Sequence, residues 1–257
     1  MAEPQAAVSP VATAGRWEFD LIDLTRPLTE QTAYALLGDI AAGEENKHYS
    51  QVAVTYDREW STSNGTLCHL SLPDHVGTHM DAPIHCWEPG VTLERVDISR
   101  MIGEAVCLDM YKGDVDYGYT AADLEAVGGD VVQQGDIVLI YSGYRDYSET
   151  ERIKQTYLAV DGAEWLVERG VHSVGCEPAG IEHVPEGLWK YHWYDKDTPN
   201  LPSWPAHQVL LSNDVYIIEG LTNLDRIKGQ RFRFAALPLP IPGASGCPVR
   251  AVAWVDR

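Results

Sequence analysis

The sequence predicts an α/β protein: a single domain with a mixed, mostly β sheet core and a few flanking helices. Three observations carry this. The chain has 257 residues, 45% hydrophobic and 22% charged, an ordinary globular composition with enough length for one large core or two small ones. Short β-branched or alternating runs recur along it, separated by turn residues. At least one segment of helical period, "DGAEWLVERG", leads straight into an apolar strand, "VHSVGC", a succession that belongs to layered α and β architectures.

Taken in order, residues 1–16 have an early acid, two prolines and no basic region before an apolar core. They read as a flexible tail and not a secretory signal, leaving 17–257 as the domain. "WEFDLIDLT" (17–25) reads as a strand with Phe19, Leu21 and Asp23 alternating against Asp20, Ile22 and Leu24. "EENKHYS" (44–50) is a polar loop, and 51–56 and 66–72 are strand-like. "AVCLDMY" (105–111) and "DIVLIYSG" (136–143) are buried strands by their continuous apolar runs. Thr120 is a fitting N-cap for a short helix ending at Gly128. In 161–170, Ala163, Leu166 and Val167 fall at helical spacing with Gly170 as C-cap. The aromatic, Pro-containing stretch 186–205 reads as a long loop, and loops of that length in compact domains are often functional. Residues 214–221, 234–241 and 249–255 complete the set as strands.

The formal net charge is −19. Such a surface repels phosphate backbones, which argues against nucleic acid, while favouring cations. Cys68, Cys86, Cys107, Cys176 and Cys247 are dispersed with no CxxC spacing, as expected for reduced thiols in the cytoplasm. No apolar run reaches membrane-spanning length, so no membrane partner is expected.

Chemistry concentrates in "HVGTHMDAPIH" (75–85), which holds three of the chain's nine histidines and an aspartate. In an extended segment His75, Gly77, His79, Asp81, Pro83 and His85 share one face. Val76, Thr78, Met80, Ala82 and Ile84 share the other, so every possible ligand lies on one side of a half-buried ribbon. A helix would pair His75 with His79 but leave Asp81 and His85 aside, and Pro83 would break it. A straight strand would hold the Cα atoms of His75 and Asp81 ~20 Å apart, too far for ligand bonds of ~2.0–2.2 Å. A shared ion therefore demands a curl, which Gly77 and Pro83 make cheapest. The spacing favours metal binding over a polar cluster held only by hydrogen bonds.

The stretch matches HxGTHxDxPxH, and in this it resembles the Putative cyclase family, which includes bacterial kynurenine formamidases and isatin hydrolases. "DLTRPLTE" is similar to the family's opening strand and turn, and "PVRAVAWV" to its closing strand. The resemblance implies a swivelling β/β/α-like fold and a homodimer or homotetramer. It also implies a site for one or two divalent ions, Zn2+ or Mn2+. A second signature in "PAHQVLLSNDVYIIEGLTNL" separates His207 and Glu219 by eleven residues. In the formamidase branch such a pair completes a two-metal site with His75, His79 and Asp81, Asp81 serving both ions. In isatin hydrolases the position of Glu219 is not acidic. Read alone, Glu219 is better explained as a carboxylate capping a strand end at the surface. The resemblance leaves His85 outside the ligand set as a proton shuttle or oxyanion donor, and gives Glu219 a place in catalysis as well as in the ligand set. Two departures, the aromatic 186–205 and "VGCEPAG" where relatives often have Gly-x-Asp, bear on the substrate.

The resulting expectation is a metal-dependent hydrolase that cleaves an amide, formamide or lactam bond of a small aromatic substrate. The alternatives are isatin hydrolase-like lactam opening, a polyketide-type cyclase on the same site, and a non-catalytic metal-binding protein. Trp60, Trp87 and Trp204 are either ordinary loop packing or a flat aromatic pocket for that substrate. No GxSxG, GxGxxG or GxxxxGK[ST] pattern competes. Cys86 falls on the face opposite His85 and reads as a structural thiol.

Overall fold

The computed structural model describes residues 18–28, 52–58, 64–113, 117–144, 156–182 and 204–257. The tail 1–16, the loop 44–50, Trp60 and almost all of 186–205 lie outside the described residues.

The strands are β1 (Phe19–Asp23), β2 (Ala53–Arg58), β3 (Leu67–Ser71), β4 (His79–Asp81), β5 (Ile102–Asp109), β6 (Tyr117–Tyr119), β7 (Ile137–Tyr141) and β8 (Thr156–Leu158). They continue with β9 (Ser173–Cys176), β10 (Tyr216–Glu219), β11 (Arg231–Ala235), β12 (Gly246–Pro248) and β13 (Val252–Asp256). Three α-helices are described: α1 (Ala121–Gly128), α2 (Val160–Glu168) and α3 (Pro205–Ser212). Nine strands form one curled sheet in the order β1-β13-β11-β5-β7-β9-β10-β4-β12. Its centre, β5-β7-β9-β10, is parallel. Antiparallel pairs extend it on both sides. This is the expected mixed sheet of a single α/β unit.

Strand alternation divides the core into two layers. Ala105, Cys107, Ile137, Leu139, Tyr216 and Ile218 point to one side, with Met80 and Ala82. That layer is closed by Leu93, Met101 and Leu224 on single-turn helices. Val106, Leu108, Val138, Ile140, Val174 and Ile217 point to the other side, where Leu124, Leu166 and Leu210 of the three α-helices cover them. Residues at alternate positions to Met80, Ala82 and Ile218 therefore face the helices. Those residues are His79, Asp81 and Glu219.

Local signals explain the helix ends. Thr120 caps α1 reciprocally with Asp123, each side chain accepting the other's main-chain N–H. Gly170 follows α2 with φ +69°, a left-handed residue that glycine adopts without a Cβ clash. In β1, Ile22 and Leu24 enter the core while Leu21 stays exposed, so the alternation expected there selects the even positions.

Several elements differ from the expectation. The strand expected over 234–241 lies instead at Arg231–Ala235. Pro238, Pro240 and Pro242 cannot donate to a ladder, and the true strand alternates exposed Arg with buried Phe. Helix α3 begins within a stretch that read as loop, because Pro205 favours the first helical turn. Short strands β6, β8 and β12 carry too few residues to show a period. Hairpin β2–β3 pairs only with itself among the described strands, with Val54, Tyr56, Leu67 and Leu70 exposed.

Candidate metal centre

The site forms where β10, β4 and β12 meet α3. In the antiparallel β10–β4 register Glu219 lies directly opposite His79. Their side chains meet, with His79 Nε2 3.5 Å from Glu219 Oε2. Two residues further along β4, Asp81 Oδ1 is 3.4 Å from His79 Nε2. From the helix layer, His207 brings Nε2 to 3.5 Å from Asp81 Oδ2 and 3.3 Å from Glu219 Oε1. His79, Asp81, His207 and Glu219 are all buried.

The curl that the spacing demands is present. Gly77 has φ +65°, a left-handed bend that brings His75 back over the strand. Pro83 opens a single helical turn, Pro83–His85, directly after Asp81. His75 Nδ1 thereby reaches 2.7 Å from Asp81 Oδ1. Thr78 explains the Thr of the motif. Its hydroxyl donates to the Gly220 carbonyl at 2.6 Å and accepts the Arg26 N–H at 2.8 Å. One side chain thus ties the opening turn, the His-rich segment and the end of β10 together.

Among the described residues, two groups of metal-ligating atoms have all members within 4.8 Å of one another: His75, His79 and Asp81, and Asp81, His85 and His207. Asp81 belongs to both. His85 ends the turn opened by Pro83. Its ring stacks on His75 with centroids 4.0 Å apart and lies 5.9 Å from the His207 ring. Burial pushes its pKa down to about 3, against the pull of Asp81, so the ring is a neutral base at neutral pH. Glu219 joins by contact with His79 and His207, not as a surface cap, and its Oε1 accepts the Ile181 N–H at 2.7 Å.

Glu182 is the residue that sequence reasoning missed. Its carboxylate accepts the Ala206 and His207 N–H groups at 3.0 and 2.9 Å, capping α3 from outside the helix. Its Oε1 also lies 2.5 Å from His207 Nδ1. Nothing near position 182 in the chain signals this, because the partner is 25 residues away. His79 is held in the same manner, with Nδ1 3.0 Å from the Gly77 carbonyl. Both rings therefore present Nε2 inward, an arrangement in which the outer hydrogen bond fixes the ligating nitrogen.

The residues fit a cation. Asp81 Oδ2 is buried with no hydrogen-bond partner, an expensive condition for a carboxylate oxygen. Three buried carboxylates, Asp81, Glu182 and Glu219, gather around the imidazoles of His75, His79 and His207. Burial opposes charging of His207, yet Asp81, Glu182 and Glu219 together hold its pKa well above the imidazole range. Burial likewise opposes ionisation of Asp81, but His75, His85 and His207 bring its pKa well below the carboxylate range. A divalent ion answers the same negative field.

Of the tryptophans, Trp204 stands edge-on to His207 with centroids 5.4 Å apart. Trp87 is exposed just beyond the Pro83–His85 turn, with its main-chain N–H donating to the Pro83 carbonyl at 3.1 Å. Cys86 packs against the helix-side core, and burial raises its thiol pKa to about 12, which leaves it an inert structural thiol.

Similarity to known proteins agrees with this geometry. A kynurenine formamidase of Erythrobacter litoralis is 26% identical over 202 residues, covering 77% of this chain and 82% of its own. An isatin hydrolase of Roseibium aggregatum is 29% identical over 207 residues, covering 73% and 74%. A solved structure described as a potential metal-dependent hydrolase with cyclase activity superposes with a TM-score of 0.66 at 26% identity, covering 93% of this chain and 98% of that one. The model of the family described as Putative cyclase matches residues 22–183, more than half of the sequence. The chain therefore belongs to the Putative cyclase family.

Proposed function

We propose that the protein is a metal-dependent hydrolase of an amide, formamide or lactam bond in a small aromatic compound. The observation that carries this is the convergence of His79, Asp81, His207 and Glu219 from three elements around the orphaned Asp81 Oδ2. The similarity to proteins named kynurenine formamidase and isatin hydrolase supports the substrate class.

In this reading His75, His79 and Asp81 hold one divalent ion, with His207 and Glu219 completing a site for a second and Asp81 common to both. Imidazoles mixed with carboxylates suit Zn2+ or Mn2+. The chemistry a divalent ion supplies is acidification of water towards pKa ~7 and polarisation of a carbonyl oxygen. The remaining work belongs to the chain. Glu182 and the Gly77 carbonyl orient His207 and His79. His85, its ring centroid 4.0 Å from that of His75, would take a proton from the attacking water and return it to the amide nitrogen as the C–N bond breaks. The hydroxyl stays on the carbonyl carbon, so acid and amine are the products. Trp204 beside His207 and Trp87 at the turn would supply flat apolar walls for an aromatic ring.

Glu219 favours a formamide over a lactam, since the resemblance places an acidic residue there in the formamidase branch. Assays of purified, metal-replete protein against N-formylkynurenine and isatin test the reading. Hydrolysis of the formamide is expected. Turnover of isatin alone would move the substrate to the lactam class, and turnover of neither would refute the hydrolase assignment. A homodimer or homotetramer in the cytoplasm completes the proposal. The five cysteines are free, and the exposed apolar face of hairpin β2–β3 is the surface association would cover. Sedimentation showing only monomer would contradict the oligomer.

A further inference from the structure

His75 differs from the other inward-facing histidines in what holds its outer nitrogen. His79 uses a backbone carbonyl and His207 a buried carboxylate. The Nε2 of His75 lies 2.9 Å from the hydroxyl of Ser245, 170 positions away in the chain. That hydroxyl is in turn 2.8 Å from Asp74 Oδ2, and the Ser245 N–H points to the same oxygen at 3.4 Å. Asp74 approaches His75 Nε2 directly only to 3.6 Å, too far for a hydrogen bond. Its route to the ring therefore runs through Ser245.

Counting protons fixes the direction. An ionised carboxylate only accepts, so the Ser245 hydroxyl proton is committed to Asp74. Ser245 Oγ then has only lone pairs to offer His75, and the imidazole proton must sit on Nε2. Nδ1 faces Asp81 Oδ1 at 2.7 Å, a contact that a proton on Nδ1 closes as a hydrogen bond. In a neutral, ion-binding ring that proton is absent, and the Nδ1 lone pair and Asp81 Oδ1 would both face the ion.

The backbone holds this chain of groups in place. The Ser245 carbonyl accepts the Ala82 N–H at 2.8 Å, locking Ser245 to the end of β4. The next residue, Gly246, lies opposite Asp81 in the β12–β4 register. A Cβ at Gly246 would fall 2.6 Å from His75 Cε1 and 2.9 Å from both ring nitrogens. The ring rests flat across the β12 backbone, and only a glycine leaves room for it.

We propose that Asp74, acting through Ser245 and with Gly246 as the platform, holds His75 as its Nε2–H tautomer so that Nδ1 is the nitrogen offered to the metal centre. Asp74 and Ser245 are then positioning residues. The inference rests on the proposed role of His75 as a ligand.

The test is zinc affinity, measured by competition with a chromophoric chelator on full-length protein. The variants are Ser245→Ala, Ser245→Thr, Asp74→Asn and the Ser245→Ala/Asp74→Asn double. Circular dichroism confirms that each is folded. Ser245→Ala is expected to bind zinc roughly 10–100-fold more weakly, the usual loss when a partner of a ligating imidazole is removed. Ser245→Thr keeps the hydroxyl and should bind like the parent. The double variant should lose much less than the sum of the two single losses, because Asp74 hydrogen-bonds towards the ring only through that hydroxyl, its direct approach to Nε2 being 3.6 Å. Nitrogen NMR of histidine-labelled, zinc-loaded protein should place the His75 proton on Nε2. Parent-like zinc binding by Ser245→Ala, or a Ser245→Thr as weak as Ser245→Ala, would overturn the proposal. So would additive losses in the double variant. His75→Ala separates the two levels: if it binds zinc as tightly as the parent, the ligand role of His75 falls and this inference with it.

Discussion

Gly220 joins the last residue of β10 to the His-rich segment, and replacing it with alanine tests how the centre is assembled. Its φ is +70°, where an L side chain costs about 1–2 kcal/mol. A Cβ there would overlap the Gly77 carbonyl oxygen and lie 2.9 Å from Gly77 C, both main-chain atoms with no rotamer to move. Displacing a packed segment adds roughly 1–3 kcal/mol. The stiffer unfolded chain of an alanine returns about 0.4–1 kcal/mol. Gly220→Ala should therefore lose about 2–4 kcal/mol, a fall in melting temperature of roughly 5–15 °C for a chain of this size. Gly229→Ala is the control. Its φ is +73° but nothing lies within 4 Å of its Cβ, so it carries only the conformational cost, about 1 kcal/mol. Thermal melts of the two variants isolate the steric part. Because Gly77 leads into Thr78 and His79, Gly220→Ala should also bind zinc more weakly, while Gly229→Ala should not. Equal melting temperatures, or unchanged zinc affinity in a destabilised Gly220→Ala, would refute the claim that this contact sets the ligand geometry.

Asp81→Ala should remove bound metal and turnover together and harm both more than Glu219→Ala, since Asp81 belongs to both ligand groups. Full metal content with near-normal turnover in Asp81→Ala would end its bridging role. His85→Ala should keep metal at His75, His79 and Asp81 but lower kcat by roughly 10²–10⁴-fold, with little rise in KM. Loss of metal in step with activity would place His85 among the ligands instead. Glu182→Ala should cost about 1–3 kcal/mol by leaving the Ala206 and His207 N–H groups without their acceptor. It should weaken zinc binding ~10–100-fold through His207, and chelator competition beside a thermal melt checks both.

The legible parts of the sequence were those with a local period. Alternation in 75–85 sorted ligands from core residues, and the structure keeps that sorting, with Met80 and Ala82 in one layer and His79 and Asp81 turned to the helices. Thr120 and Gly170 marked helix ends by local capping chemistry. Long-range features carried no such mark. Glu182 matters because a helix 25 residues on brings His207 to it, and Ser245 because β12 pairs with β4. Arg231–Ala235 was missed because its period joins Arg to Phe, while the apolar residues after it, interrupted by prolines, read falsely as strand. The contact of His85 with His75 carried no mark either, since it depends on the single turn after Pro83.

The central claim is that this buried cluster holds a divalent ion and hydrolyses an amide-type bond with it. The most direct measurement is a titration of Zn2+ or Mn2+ into chelator-stripped protein, following bound metal per chain and N-formylkynurenine hydrolysis in the same samples. Activity is predicted to be absent at the start, to rise with bound metal and to level at one or two ions per chain. Retention of less than one ion per chain, or hydrolysis undiminished in stripped protein, would contradict it.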